Sequence, residues 1–232
     1  MSVLSSSFIQ WLQQNAENLD QSNERADLLI PQIAALGLYK IGVPETLGGS
    51  GGTLVDAIKA VTELGNHSLA AAFVSWGHRT FIEHIIASKN PIPRQSYLAD
   101  LLNGNLTAGT GLSNAMKFLS GIEELNVNIR EENGKRYLNG RLPWVTNLRS
   151  YRFVASFVAG FQDERNPKEL FQARIDIVNV VAQTILLELQ ASGGRGYLKN
   201  DTSGFSRRWK EAAFLPVVTP SAVQLRMVLA NS

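Results

Sequence analysis

The residues of this chain best suited to hold a ligand stand together at 190–197, Gln-Ala-Ser-Gly-Gly-Arg-Gly-Tyr, at the end of its most helix-like stretch. Three glycines in four positions remove the Cβ atoms that keep a ligand off the backbone, so amides there can face phosphate oxygens or polar ring edges. The same word also suits a helix C-cap with a tight exit, because glycine accepts the left-handed conformation such exits use. A second glycine-dense stretch, 42–52, could cradle phosphate on composition alone. No Lys-Ser/Thr follows it and no strand pattern precedes it, so it reads as a connecting loop. His78 and His84 lie six positions apart, which on a helix turns them about 120° away from each other. They cannot chelate one metal as an i, i+4 pair could, and read as satisfied or half-exposed histidines. No metal site is expected. The absence of cysteine excludes disulfides, thiolate metal sites and thiol nucleophiles.

The whole composition leaves the partner open. Of 232 residues, 44% are hydrophobic and 18% charged, with a net charge of +2 and both signs interspersed. No polybasic face argues for nucleic acid or an anionic membrane. The first residues carry no basic region followed by an apolar core, as a secretory signal would. The longest apolar run, around 69–76, falls far short of the ~20 residues that span a bilayer. A soluble cytoplasmic protein is expected.

The elements that must position these residues follow from periodicity. Phe8, Trp11, Leu12, Ala16 and Leu19 recur at helical spacing, and a second helix is predicted over 24–36 with Pro31 near its start or kinking it. Thr53 with Asp56 forms a capping-box start for a helix carrying Leu54, Ile58, Val61 and Leu64 on one face. Ser68 opens a helix over 69–86 that is apolar almost all round and should be interior. A short helix over 93–102 closes at Gly104. From Leu106 the pattern changes: 125–130 alternates, 135–138 follows after Glu-Asn-Gly as a hairpin would, and 144–145 and 152–159 read as strands. Helical period returns over 170–189, with Gln172, Asp176, Asn179 and Gln183 on one narrow polar stripe; the rest of that surface must pack against other helices or another subunit. Two further helices are predicted over 205–214 and 220–229, the latter capped by Thr219. The expected fold is α+β and mostly α: a helical domain at 1–104, a small, partial β domain at 105–165 and a helical domain at 166–232.

Four words in this order resemble the acyl-CoA dehydrogenase family: Val-Pro-Glu-Thr-Leu-Gly-Gly at 43–49, Thr-Ala-Gly-Thr-Gly-Leu-Ser-Asn at 107–114, Leu-Asn-Gly-Arg-Leu-Pro-Trp-Val-Thr at 138–146, and the glycine loop at 190–197. The resemblance implies FAD. It places the hydroxyls of Thr107 and Ser113 and nearby amides along the flavin, Trp144 packed on the isoalloxazine, and Thr146 with its hydroxyl reaching N5. A planar ring favours stacking and a reducible nitrogen a positioned donor. Gln190, Gly193 and Gly194 match a loop that contacts the dinucleotide of a neighbouring subunit, and Thr219 matches a further cofactor contact. A homo-oligomer acting on an acyl-CoA is the implied protein.

Two departures qualify the likeness. The family's proton-abstracting glutamate often stands two residues before the position of Thr219, where this chain has Val217, and valine cannot take a proton. No catalytic residue is therefore assigned. The family also places a complete β-barrel and two more helices between the segments matching 152–159 and 174–189, where this chain has a short polar linker; an internal deletion is the simplest reading. Two functions follow. One is an FAD-binding oxidoreductase acting on the CH–CH group of an acyl thioester, with a related flavin monooxygenase-like variant that also lacks the glutamate. The other is a catalytically inactive remnant serving as a structural or interaction protein.

Overall fold

Small polar residues set the starts of four of the first five helices by accepting from an otherwise unpaired amide of the first turn. The computed structural model describes residues 3–22, 24–149, 152–160, 168–192, 205–214 and 220–230. Ser5 accepts from the Phe8 amide to begin α1 (Ser6–Gln21). The expected capping box is present at α3 (Leu54–Gly65), where the Thr53 hydroxyl accepts from the Asp56 amide and the Asp56 carboxylate accepts from the Thr53 amide at 2.9 Å. Ser68 caps α4 (Leu69–Ala87), and Asn90 caps α5 (Pro91–Leu102), which has proline in its first turn. Pro31 lies inside α2 (Ala26–Ala35).

These five helices form one unit with 144–157, which contributes β4 (Phe153–Ser156) beside β1 (Thr107–Thr110). The two strands run parallel, Thr107 opposite Phe153 and Thr110 opposite Ser156. Leu12, Ile30, Ile33, Leu64, Ile82 and Leu101 are fully buried at the centre of this unit. As its all-round apolar pattern predicts, α4 is the interior helix, packing against α1, α2, α3, α5, β1 and β4. The face expected to bury on α3 is borne out in part: Leu64 is buried and Val61 packs on the core, but Leu54 and Ile58 are exposed and Ala57 and Ala60 face the core in their place. Small side chains let α3 lie close to its neighbours, and the larger apolar residues are displaced outward.

The loop at 42–52 closes on itself. Gly42 donates to the Gly51 carbonyl at 2.7 Å, Gly51 to Val43 at 2.9 Å, and Ser50 to Lys40 at 2.9 Å. Amides committed in this way do not cradle a phosphate, which agrees with the connecting-loop reading. A Cβ on Gly49 would stand 2.0 Å from the Val43 carbonyl, so the tight return depends on glycine there.

The second unit comprises residues 112–143 and those beyond 157. It holds α6 (Leu112–Leu119), a hairpin of β2 (Val127–Glu132) and β3 (Lys135–Gly140), and the helices α7 (Lys168–Ser192), α8 (Phe205–Phe214) and α9 (Ala222–Ala230). The hairpin forms as predicted, turning at Asn133-Gly134 with both residues at positive φ, as a two-residue turn between twisted strands requires. Two expectations change: 144–145 is not a strand, and 112–119 is helical where no helix was expected. Among the described residues of this unit, Ile175 and Leu225 form a core with Met116, Val228 and Leu229 packed against them. Gly193, Gly194, Val217 and Thr219 lie outside the described residues.

Candidate functional site

The site is built around β1, and a buried histidine anchors it. His78 on α4 is fully buried; its Nε2 donates to the Leu101 carbonyl at 3.0 Å and its Nδ1 accepts from the Ala108 amide at 3.1 Å. That pairing fixes one neutral tautomer, because the amide can only donate. The Tyr39 ring lies 4.4 Å from the imidazole. Burial drives the His78 pKa down to about 4, with the Leu101 carbonyl opposing the shift. One uncharged ring therefore joins α4, α5 and β1.

The segment 144–147 lies along β1. The Thr146 amide donates to the Thr110 carbonyl at 3.2 Å. A Cβ on Gly109 would stand 1.8 Å from the Thr146 carbonyl, and one on Gly77 2.6 Å from the Thr146 methyl. Thr146 is thus gripped between α4 and β1 through two glycines, one on each side. Asn147, at φ +59, locks the grip by donating from its side-chain amide to Val74 at 2.8 Å and to Ala108 at 3.0 Å. The Thr146 hydroxyl has no hydrogen-bond partner among the described residues. Two residues earlier Trp144 is 73% exposed.

The strand's own amides are less available than the sequence suggests. Thr107 donates to Arg152 at 2.9 Å, Ala108 to His78, and Gly111 to Ser156 at 2.7 Å. What remains to face a ligand at this strand is largely side chain. The Thr107 side chain is nearly enclosed.

Of the other expected positions, Ser113 is half-buried in the first turn of α6 and Gln190 is exposed in the last turn of α7. The structure brings Thr146 against the β1 that carries Thr107 and leaves Trp144 open beside it; Ser113 and Gln190 belong to the other unit. Asn114, next to Ser113, is a structural clamp: its amide donates to Glu123 at 2.8 Å and to the Glu124 carbonyl at 2.9 Å, and its oxygen accepts from the Asn126 amide at 2.9 Å.

Sequence reasoning missed Gly77, Gly109, Asn147 and the bridging role of His78. Only Gly77 carried a signal, as an isolated glycine inside a strong helical pattern, which marks a close approach. Arg79 was also missed. It is almost fully buried, donates to the Ile41 carbonyl at 3.1 Å and pairs with Glu83 at 2.5 Å, so a cation inside the helical layer holds the loop after α2.

Carboxylates near the C-terminal helices are engaged. Glu188 on α7 accepts from Arg208 on α8 at 3.1 Å, and Glu211 accepts from Arg207 at 2.7 Å. Among the described residues no three His, Asp or Glu side chains converge on a metal site, and no helix is long and apolar enough to cross a membrane.

A model of the family described as "Acyl-CoA dehydrogenase, N-terminal domain" matches residues 7–105. The chain is similar to the probable acyl-CoA dehydrogenase YngJ of Bacillus subtilis (strain 168), 29% identical over 191 residues, which covers 78% of this chain and 48% of that protein. It is also similar to an acyl-CoA dehydrogenase of the same organism, 28% identical over 133 residues, covering 57% of this chain and 35% of the relative. The chain spans about half the length of the first relative and about a third of the second.

Proposed function

We propose that the chain is a member of the acyl-CoA dehydrogenase family, as the matches support, and that it binds FAD against β1 and the 144–147 segment. The observation that carries this reading is the grip on Thr146: two glycines and Asn147 fix a residue whose hydroxyl has no partner among the described residues, beside an indole open to stack on a planar ring. A fixed donor beside an open aromatic face fits the edge and face of an isoalloxazine. FAD, when bound, supplies two-electron chemistry at its ring. The chain's residues would hold it: Trp144 by stacking, Thr146 by its hydroxyl at the ring edge, Thr107 and Ser113 along its length, and Gln190, Gly193, Gly194 and Thr219 toward its dinucleotide. The domain layout proposed with this reading is 1–104 helical, 105–165 β and 166–232 helical.

The proposed reaction class is oxidoreduction on the CH–CH group of an acyl-CoA, by a cytoplasmic homo-oligomer. Val217 and the ion-paired state of Glu188 and Glu211 favour a second reading, a flavin-binding protein without dehydrogenation, because no carboxylate is assigned to take the α-proton. Purified protein mixed with FAD, desalted and scanned for a flavin absorption band tests the first step. A retained band with near-stoichiometric FAD supports the cofactor site, and a colourless protein after reconstitution overturns it.

A further inference from the structure

Away from the 144–147 segment, a cavity of about 440 Å³ opens between α4, α5 and β4. Its walls are mainly apolar, with Phe81, Ile85, Pro93 and Tyr97 around a polar pair, His84 Nδ1 and the Ser156 hydroxyl, 2.7 Å apart; Ser88 also lines it, its hydroxyl oxygen accepting from the Asn90 amide. A volume of a few hundred cubic ångströms, lined by aliphatic and aromatic carbon with a few placed polar groups, is the usual make-up of a small-molecule pocket.

The polar pair narrows the chemistry of the occupant. If the serine hydroxyl donates to Nδ1, the pair offers Nε2–H as a donor and the serine oxygen as an acceptor. If Nδ1–H donates instead, it offers the serine O–H as a donor and Nε2 as an acceptor. Either way one donor and one acceptor remain, and no described residue takes Nε2. While Nε2 faces the opposite side of the ring, a hydroxyl, which can donate or accept, matches the serine end of the pair in either state. A carboxylate does not: it offers no donor, and the nearest charge acting on His84 is the Glu83 carboxylate. Burial also holds the imidazole toward its neutral form.

We propose that this cavity binds a small neutral apolar molecule bearing one hydroxyl, held by the His84–Ser156 pair with its hydrocarbon body against Phe81, Ile85 and Tyr97. The proposal is independent of the FAD reading. It is tested by titrating the full isotope-labelled chain with 4-propylphenol, propylbenzene and 4-propylbenzoate while following amide resonances at 84–88 and 153–156 by NMR. The phenol is expected to move those resonances saturably and to bind more tightly than the hydrocarbon or the acid. Ser156→Ala should weaken the phenol roughly 3- to 10-fold, the scale of one hydrogen bond, and leave propylbenzene unchanged. Tyr97→Ala, at an exposed wall position, should weaken the phenol and the hydrocarbon alike, so the test survives if Ser156→Ala does not fold. The proposal is overturned if the phenol leaves these resonances unmoved, if folded Ser156→Ala binds it as tightly as the parent, or if the benzoate binds best.

Discussion

Gly109 illustrates what a single residue decides here. Its conformation is ordinary, but a Cβ would meet the Thr146 carbonyl at 1.8 Å, and backbone cannot step aside as a flexible side chain can. Gly109→Ala should therefore destabilise the protein by about 1–3 kcal/mol, as overpacking does, read as a lower urea midpoint. Gly65→Ala is the contrast: its Cβ would stand 3.7 Å from Ala72 in a helix, so it should be neutral or stabilise by up to ~1 kcal/mol. Equal midpoints for the two variants would remove the grip on Thr146 from the account. Trp144 behaves oppositely, because at 73% exposure it contributes little to the fold. Trp144→Ala should leave the unfolding midpoint almost unchanged while weakening FAD by about 1–3 kcal/mol, the scale of one large aromatic contact. A folded Trp144→Ala chain with unaltered flavin affinity, by fluorescence titration, would exclude stacking at this residue. The words holding Trp144 and Thr146 were legible in the sequence. The glycines that seat Thr146 were not, since Gly109 touches it only after 36 intervening residues have folded back.

Among the elements, the join of α4, α5 and β1 through His78 has a pH signature. The folded pKa of about 4 lies below the value near 6.5 of an unfolded histidine, so the folded state binds this proton less readily. The stabilisation is complete above pH ~6.5 and is lost as pH falls toward 4, by roughly 3 kcal/mol in all. Stability measured by urea unfolding should drop across that window, and His78→Gln should flatten the drop while lowering stability at pH 7. A parent chain as stable at pH 4.5 as at pH 7 would contradict the buried neutral imidazole. Helix starts were readable because Ser68, Thr53 and their followers act locally. Half of the α3 face was misread because periodicity marks apolar stripes and cannot tell that Ala57 and Ala60 suit close packing better than Leu54 and Ile58. The helix at 112–119 was hidden behind the flavin-type word that overlaps it, and its anchor, Asn114, bonds residues 9 to 12 positions away.

At the scale of the whole molecule, assembly and chemistry remain coupled. Ile177, Val180 and Leu187 on α7 and Val223 and Met227 on α9 are exposed although apolar, which is the surface an oligomer of this chain would cover. Light scattering at micromolar concentration should give a homo-oligomer whose contacts bury more than ~1,200 Å², and Val180→Glu should shift it toward smaller species. A monodisperse parent monomer would end that reading. The chemistry turns on Val217. Oxidation of an acyl-CoA begins with removal of the α-proton, and a positioned general base contributes about 10²–10⁴ in rate. Glu188 and Glu211 are held by Arg208 and Arg207, so their carboxylate oxygens are already engaged with guanidinium groups rather than presented to a substrate. Flavin reduction by saturated acyl-CoA should therefore be absent or very slow in the FAD-loaded chain, and Val217→Glu should raise it by one to several orders of magnitude, toward the range of about 10²–10⁴. Anaerobic bleaching of the flavin band on adding butyryl-, octanoyl- or palmitoyl-CoA measures both. Rapid bleaching in the unmodified protein would show that another base serves, and Glu188→Gln and Glu211→Gln would then identify it.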